Sequence, residues 1–131
     1  MREILFRAKS NQTWYYGYVY PDYESPRRNI WRIATPNEDI LMIDSDTIGQ
    51  YTGLKDKNGT KIFEGDLVVC NNSKIALCVT FDMTASRPAW TLVKQSEWFS
   101  GKYSYKHALE FDMDNKYEVV GDIYSSPFRS E

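Results

Sequence analysis

Glycines divide the middle of the chain into runs that are too short for helices. Gly53, Gly59 and Gly65 stand at six-residue steps, and Asn58 directly precedes the second of them. Glycine readily adopts the positive φ that tight turns require, and an Asn-Gly pair is a strong signal for a hairpin turn. The stretch from residue 48 to 68 therefore predicts short antiparallel strands joined by tight turns.

The chain before this stretch contains segments rich in β-forming residues, separated by Pro, Asn, Asp and Ser. In one of them, tyrosines and Trp14 occupy one side, while Tyr15 and Val19 occupy the other. Because neither side is plainly polar, we expect this strand to be covered on both faces. The predicted strands are residues 4–9, 14–20, 29–34 and 40–43.

Residues 44–48 carry polar side chains that suit the start of a helix. Asp44 or Ser45 can accept hydrogen bonds from free backbone amides, and Asp46 favours the positive end of a helix. We predict a single helical turn at this position.

The second half contains a strong hairpin signal centred on residues 72–73. Strands at 67–70 and 75–81 flank it, and a two-residue loop would place Leu67 opposite Cys78. The same register separates the chain's two cysteines beyond bonding distance. Cys70 and Cys78 are therefore predicted to be free thiols that fill the core.

The remaining elements of the second half are short. A loop at 82–88 precedes a strand at 89–94, and a turn or short helix follows at 97–101. Residues 103–111 fit either a short helix or a loop, and the pattern leaves both open.

A Gly-Asp pair recurs between apolar residues at 65–66 and again at 121–122. Glycine inside a strand pattern often marks a bulge, where the strand bends. We interpret both pairs as bulges that help to close a small barrel.

The charge and hydropathy patterns exclude several classes of protein. Sixteen basic and eighteen acidic residues give a net charge of −2, so no overall positive field attracts nucleic acid or anionic lipid. No apolar run is long enough for a signal peptide or a membrane span. We expect a soluble, cytoplasmic protein without a membrane partner.

Residues suited to catalysis are scarce. His107 is the single histidine, and the usual metal, nucleophile and phosphate-loop motifs are missing from the sequence. We interpret His107 as a surface or half-buried aromatic residue. The sequence thus predicts a non-enzyme with no catalytic residue, no metal site and no cofactor.

Three pairs of carboxylates, each two residues apart, are the remaining candidates for metal chemistry. Such a pair points to one side of a strand, and carboxylate oxygens are ligands for Mg²⁺ or Ca²⁺. We favour structural roles in turns, with a divalent-metal-dependent phosphodiesterase as the weaker alternative. The pairs are Asp44 with Asp46, Glu64 with Asp66, and Asp112 with Asp114, of which the first two would serve the phosphodiesterase.

Aromatic residues are abundant, with four Trp, ten Tyr and six Phe. Ten tyrosines exceed what one small core can hide, so some must reach the surface, and exposed Tyr and Trp suggest a contact surface. One cluster also combines cations with an aromatic ring, a combination that can bind nucleic acid. This candidate binding cluster consists of Arg27, Arg28, Trp31 and Arg32.

The whole chain resembles the YopX family of phage and prophage proteins. The resemblance rests on residues 1–9, on the stretch 48–68 and on the final stretch 119–127. Trp14 and residues 16–18, which lie between the first two segments, also match. It implies a small, mostly β protein with an SH3-like barrel element, and it carries over no catalytic or binding residue. Residues 20–37 and 82–116 are longer and more individual than is typical of the family.

Together these observations predict an all-β fold of short antiparallel strands in a single compact unit, 1–131. Residues 1–48 would form an N-terminal β-meander and residues 49–131 a partly open SH3-like barrel, sharing one core. For function, we favour a non-enzymatic accessory protein of phage or prophage origin. It would bind a host or phage protein, or itself as a homo-oligomer, and nucleic-acid binding is the alternative.

Overall fold

The computed structural model describes residues 4–70, 73–83, 89–108 and 117–125. These residues form ten β-strands and one short 3₁₀ turn, and the strands make two antiparallel sheets. The predicted all-β fold is therefore confirmed. The chain divides into two compact units, Met1–Tyr51 and Thr52–Glu131, while a core shared by both parts stays a prediction.

Four strands build the first unit, and the last of them continues into the second unit. Each strand pairs antiparallel with its neighbour in the chain, and β1 also pairs with β4, so that the strands close into a ring. Ala8, Ile33 and Ile43 form the buried cluster of this unit. The strands are β1 (Phe6–Ser10), β2 (Thr13–Pro21), β3 (Trp31–Ala34) and β4 (Ile40–Lys55).

The helical turn predicted at residues 44–48 is wrong, because these residues belong to β4. The pairing of β1 with β4 changes register between Arg7 and Lys9, which indicates a bulge. The Thr47 hydroxyl accepts a hydrogen bond from the Lys9 amide at 2.8 Å and donates one to the Asp44 carbonyl at 2.7 Å. The polar side chains that suit a helix start thus satisfy the backbone of a bulged strand.

The second unit contains a short hairpin and a five-stranded sheet. The hairpin joins the end of β4 to β5 (Lys61–Phe63). The sheet follows as β6 (Asp66–Cys70), β7 (Leu77–Asp82), β8 (Ala89–Lys94), β9 (His107–Ala108) and β10 (Tyr117–Asp122), in the order β10-β6-β7-β8-β9.

Two hydrophobic clusters stabilise this unit. Ile62 of β5 packs with buried residues of the sheet such as Val68 and Leu92, while Leu67 and Cys78 belong to the other cluster. Since neighbouring residues of a strand point to opposite faces, the sheet is covered on both sides. This arrangement is consistent with an SH3-like barrel, which stays a prediction.

The predicted pairing of Leu67 with Cys78 is confirmed. The second strand of this hairpin begins at Leu77, two residues later than predicted, and residues 71–72 of the predicted loop lie outside the described residues. Both cysteines are free thiols, with Cys78 buried and Cys70 half-buried, as the sequence predicts.

Of the two alternatives predicted for 103–111, the loop is confirmed for residues 103–106, while the next two residues form a short strand. Residues 103–106 have no helix or strand, His107 and Ala108 form β9, and residues 109–111 lie outside the described part. The predicted strand at 89–94 is confirmed as β8, and the short 3₁₀ turn at Gln95–Glu97 follows it. Residues 84–88 of the predicted loop also lie outside the described part.

Only one of the two predicted Gly-Asp bulges is correct. The register of β10 against β6 shifts between Val119 and Gly121, so the second pair does mark a bulge. Gly65 instead lies in the turn that joins β5 to β6, with a φ of 90°. The same dipeptide serves two purposes because glycine suits both a bulge and a positive-φ turn.

Candidate functional site

The outer face of β2 and β4 in the first unit carries large apolar side chains in contact with solvent. From β2, Tyr16, Tyr18 and Tyr20 are 42%, 67% and 37% exposed, and from β4, Ile40 and Met42 are 58% and 48% exposed. We call these five residues the tyrosine face. A contiguous apolar surface of this kind commonly marks an interaction site.

The strand register explains why these side chains are neighbours. Residues that oppose each other in an antiparallel pair point to the same side of the sheet. β3 lies between β2 and β4, so each row across the face starts with a tyrosine and ends with an aliphatic side chain. One row consists of Tyr18, Ala34 and Ile40, and the adjacent row consists of Tyr20, Arg32 and Met42.

The expectation that residues 14–20 are covered on both faces is wrong. The inner side chains, Tyr15 and Val19, pack against the buried cluster of the first unit, but Tyr16, Tyr18 and Tyr20 remain exposed. Tyrosine suits both environments, because its ring is apolar and its hydroxyl is polar. Sequence alternation alone therefore could not show which side faces solvent, although exposed tyrosines were predicted for the chain as a whole.

Arg32 lies between Tyr20 and Met42 in the tyrosine face, and an ion pair neutralises its charge. The Arg32 Nε donates to the Asp22 Oδ2 at 2.8 Å, and the Glu24 amide donates to the Asp22 Oδ1 at 3.0 Å. The hydrogen bond from Arg32 is the main reason that the pKa of the Asp22 carboxyl lies below its usual value, while its desolvation acts in the opposite direction. Asp22 is thus charged at neutral pH, and the pair leaves this part of the face without net charge.

The Asp22 pKa provides a test of this ion pair. Because the folded-state pKa is lowered, the pair stabilises the fold above the unfolded pKa, and this contribution is lost as the pH falls through the folded pKa. We expect Arg32→Ala to move the Asp22 pKa upwards, towards the usual value of an aspartate, because the largest cause of the lowering is removed. Carboxyl-carbon NMR titration of both proteins measures the change, and an unaltered Asp22 titration would contradict the pairing.

The structure places two members of the predicted binding cluster, Trp31 and Arg32, on opposite sides of β3. Arg27 and Arg28 are exposed in the connection between β2 and β3. Trp31 is half-buried against the core of the first unit, on the same side of β3 as Ile33. Arg32 points to the opposite side, so the indole ring and this guanidinium do not make a common stacking surface.

Two clefts border the tyrosine face. The first, of about 550 Å³, we call the Glu24 cleft, and the second, of about 530 Å³, we call the Arg27 cleft. They adjoin along β4, since Ile40 lines the first and Met42 lines the second. The Glu24 cleft also includes Tyr20, Tyr23, Asp22 and Arg32, and the Arg27 cleft also includes Asn11, Ile30 and Asp44.

Two of the carboxylates considered for metal binding accept hydrogen bonds from backbone amides. The Asp44 Oδ1 accepts the Asp46 amide at 3.1 Å, and the Asp66 Oδ2 accepts the Phe63 amide at 2.8 Å. The predicted turn role of Asp66 is therefore confirmed. In the described part of the chain, no three His, Cys, Asp or Glu side chains are grouped in a way that could hold a metal ion, and Asp112 and Asp114 lie outside that part.

His107 is half-buried in β9, where it pairs with Leu92 of β8. This placement agrees with its interpretation as a half-buried aromatic residue. Within the described ranges, no helix has the length and apolar character needed to cross a bilayer.

Sequence reasoning missed the part that β4 plays in the face. Ile40 and Met42 were assigned only to a short strand, although they alternate with Leu41 and Ile43. That alternation shows that the two pairs point to opposite sides. Both pairs are apolar, however, and only the position of the core distinguishes the exposed pair from the buried one.

Comparison with known families finds a match over nearly the whole chain. Residues 5–129 match the family described as YopX protein. Among curated proteins, a search finds no match to the chain. The family match covers most of both compact units and includes the complete tyrosine face.

Proposed function

The chain belongs to the YopX family, and from its exposed tyrosine face we propose that it is a non-enzymatic accessory protein that binds protein. We further propose a phage or prophage origin and action in the cytoplasm of the bacterial host. The observation that carries the proposal is the group of five large apolar side chains on one sheet face. Their exposure is energetically unfavourable in water, and a bound partner would remove it.

The composition of the tyrosine face is typical of protein interfaces. Aromatic residues and methionine are enriched in such interfaces, and charged residues are depleted at their centre. Tyrosine also loses little conformational entropy when it is buried, because it has only two rotatable side-chain bonds. A surface built from Tyr18, Tyr20 and Met42 therefore suits a protein partner.

The same geometry gives less support to nucleic-acid binding. Trp31 packs against the core, and Arg32 is neutralised by Asp22. Arg27 and Arg28 remain exposed, but two cations contribute little to the neutralisation of a phosphate backbone. Asp44 and Asp66 accept backbone amides, which favours a structural role for these two carboxylates over a phosphodiesterase.

Affinity capture from a lysate of the bacterium that carries the gene tests the proposal. We expect the tagged protein to recover a partner protein after nuclease treatment, and we expect Tyr18→Glu to abolish the recovery. A buried carboxylate without a partner would oppose burial of this surface. Mass spectrometry identifies the recovered proteins.

The matched control is Tyr105→Glu, which places the same charge on another exposed tyrosine, in the second unit. Circular dichroism would verify that both variants are folded. Equal recovery by the wild type and Tyr18→Glu would contradict a role of the tyrosine face. Partners that disappear on nuclease treatment would instead favour the nucleic-acid alternative.

A further inference from the structure

We propose that the partner of the tyrosine face is a second copy of this chain, bound about a two-fold axis. The inference rests on the proposed function and names the partner for the same surface. Because Asp22 neutralises Arg32, the centre of the face has no net charge. Two identical faces can therefore meet without the like-charge repulsion that separates most identical surfaces.

The apolar area is sufficient for a dimer. The five side chains of the tyrosine face together expose on the order of 500 Å². A stable interface takes about 800 Å² from each partner, and about 65% of a homodimer interface is apolar. The face thus supplies roughly the apolar share that one subunit of a stable dimer contributes.

The charges around the face are also self-complementary. Glu24 and Arg27 are both exposed, and in the described part of the chain neither side chain has a hydrogen-bond or ion-pair partner. Each lines one of the two clefts beside the tyrosine face. The molecule therefore presents one unpaired carboxylate and one unpaired guanidinium next to the same apolar surface.

A two-fold axis between the clefts brings these charges together. In such an interface, if residue i of one copy contacts residue j of the other, then j also contacts i. The Glu24 cleft of each copy would face the Arg27 cleft of the other. One dimer then contains two Glu24–Arg27 pairs at its rim, on either side of the apolar centre.

Exchanging these charges gives a specific test. Glu24→Arg places two cations in each contact, and Arg27→Glu places two anions in each contact. Because a symmetric dimer contains the contact twice, the repulsion in either variant also occurs twice. We expect each single variant to dimerise at least about tenfold more weakly than the wild type. An equimolar mixture of the two variants should dimerise again, because every contact then joins opposite charges.

Sedimentation velocity at low ionic strength measures these states, since exposed charge pairs are screened by salt. Arg28→Glu is the matched control: it introduces the same charge change in the adjacent residue, and we expect its dimer to weaken less than that of Arg27→Glu. Thermal unfolding would show that the variants remain folded.

A monomeric wild type would overturn the inference. It would also be overturned if the equimolar mixture of the two variants dimerised no more strongly than either variant alone. A dimer unaffected by Tyr18→Glu would overturn it as well, because the contact would lie elsewhere. If the wild type is monomeric but lysate capture still recovers a protein that Tyr18→Glu loses, the second copy is excluded and the proposed function stands.

Discussion

Replacing Asp56 with alanine is expected to lower the free energy of unfolding by about 4 kcal/mol. The Asp56 side chain is buried, and its Oδ1 accepts the amides of Asn58 and Thr60 at 2.8 and 2.9 Å. Its Oδ2 accepts the Val119 amide at 2.9 Å, which connects the β4–β5 turn to β10. Alanine leaves three amides without these partners, and each amide would need another acceptor.

The variant Asp56→Asn separates the two roles of this carboxylate. Its amide oxygen can still accept the bonds of the turn, but its NH₂ group faces the Val119 amide, which is also a donor. We expect a loss of about 2 kcal/mol, roughly half that of alanine. Urea unfolding at pH 7 measures both variants against Asp46→Ala, an exposed carboxylate. Losses below about 1 kcal/mol for Asp56→Ala would contradict this account.

Gly17→Ala is expected to destabilise the first unit by at least about 3 kcal/mol. A Cβ atom at Gly17 would lie 2.0 Å from the Ala34 carbonyl oxygen and 2.9 Å from its carbon. Both atoms belong to the backbone of β3, so no side-chain rotation can relieve the overlap. The β2–β3 pairing would have to open at Tyr18, in the middle of the tyrosine face.

Gly59→Ala is the matched control for this prediction. Gly59 also has a special conformation, with a φ of 81°, but a Cβ there would meet nothing within 4 Å. Its cost is limited to the strained backbone, about 1 kcal/mol. Thermal unfolding monitored by circular dichroism compares the two, and equal losses would show that the close approach of β2 and β3 is not the cause.

The features that the sequence predicts well depend on local chemistry. The turn at Asp56–Gly59 follows from an aspartate that can accept amide bonds and a glycine that permits a positive φ. The register that pairs Leu67 with Cys78 follows from the spacing of two apolar runs. The position of the bulge at Gly121 follows in the same way from one residue type.

The errors occur where tertiary contacts choose between equal local options. Asp44 and Thr47 can satisfy a helix start or a bulged strand, and pairing with β1 decides for the strand. Trp31 next to Arg32 suggested a mixed binding cluster, but neighbouring residues in a strand point to opposite sides, and the core lies on the side of Trp31.

The candidate site could be predicted only in part. The tyrosines of β2 were assigned to one side, yet both sides of that strand are apolar, so the sequence could not show that Tyr18 is exposed. The contribution of Ile40 and Met42 depends on β3 lying between β2 and β4. Such a row of three strands combines residues from separate parts of the chain, and no local pattern contains it.

Site-specific photo-crosslinking at Tyr18 tests the central claim most directly. A benzophenone amino acid in place of Tyr18 would react with any protein that covers the tyrosine face in the cell that carries the gene. We expect a covalent protein adduct at this position, identified by mass spectrometry, and none when the same group replaces Tyr105. A folded protein without an adduct at Tyr18 would contradict the assignment of the tyrosine face as a protein-binding surface.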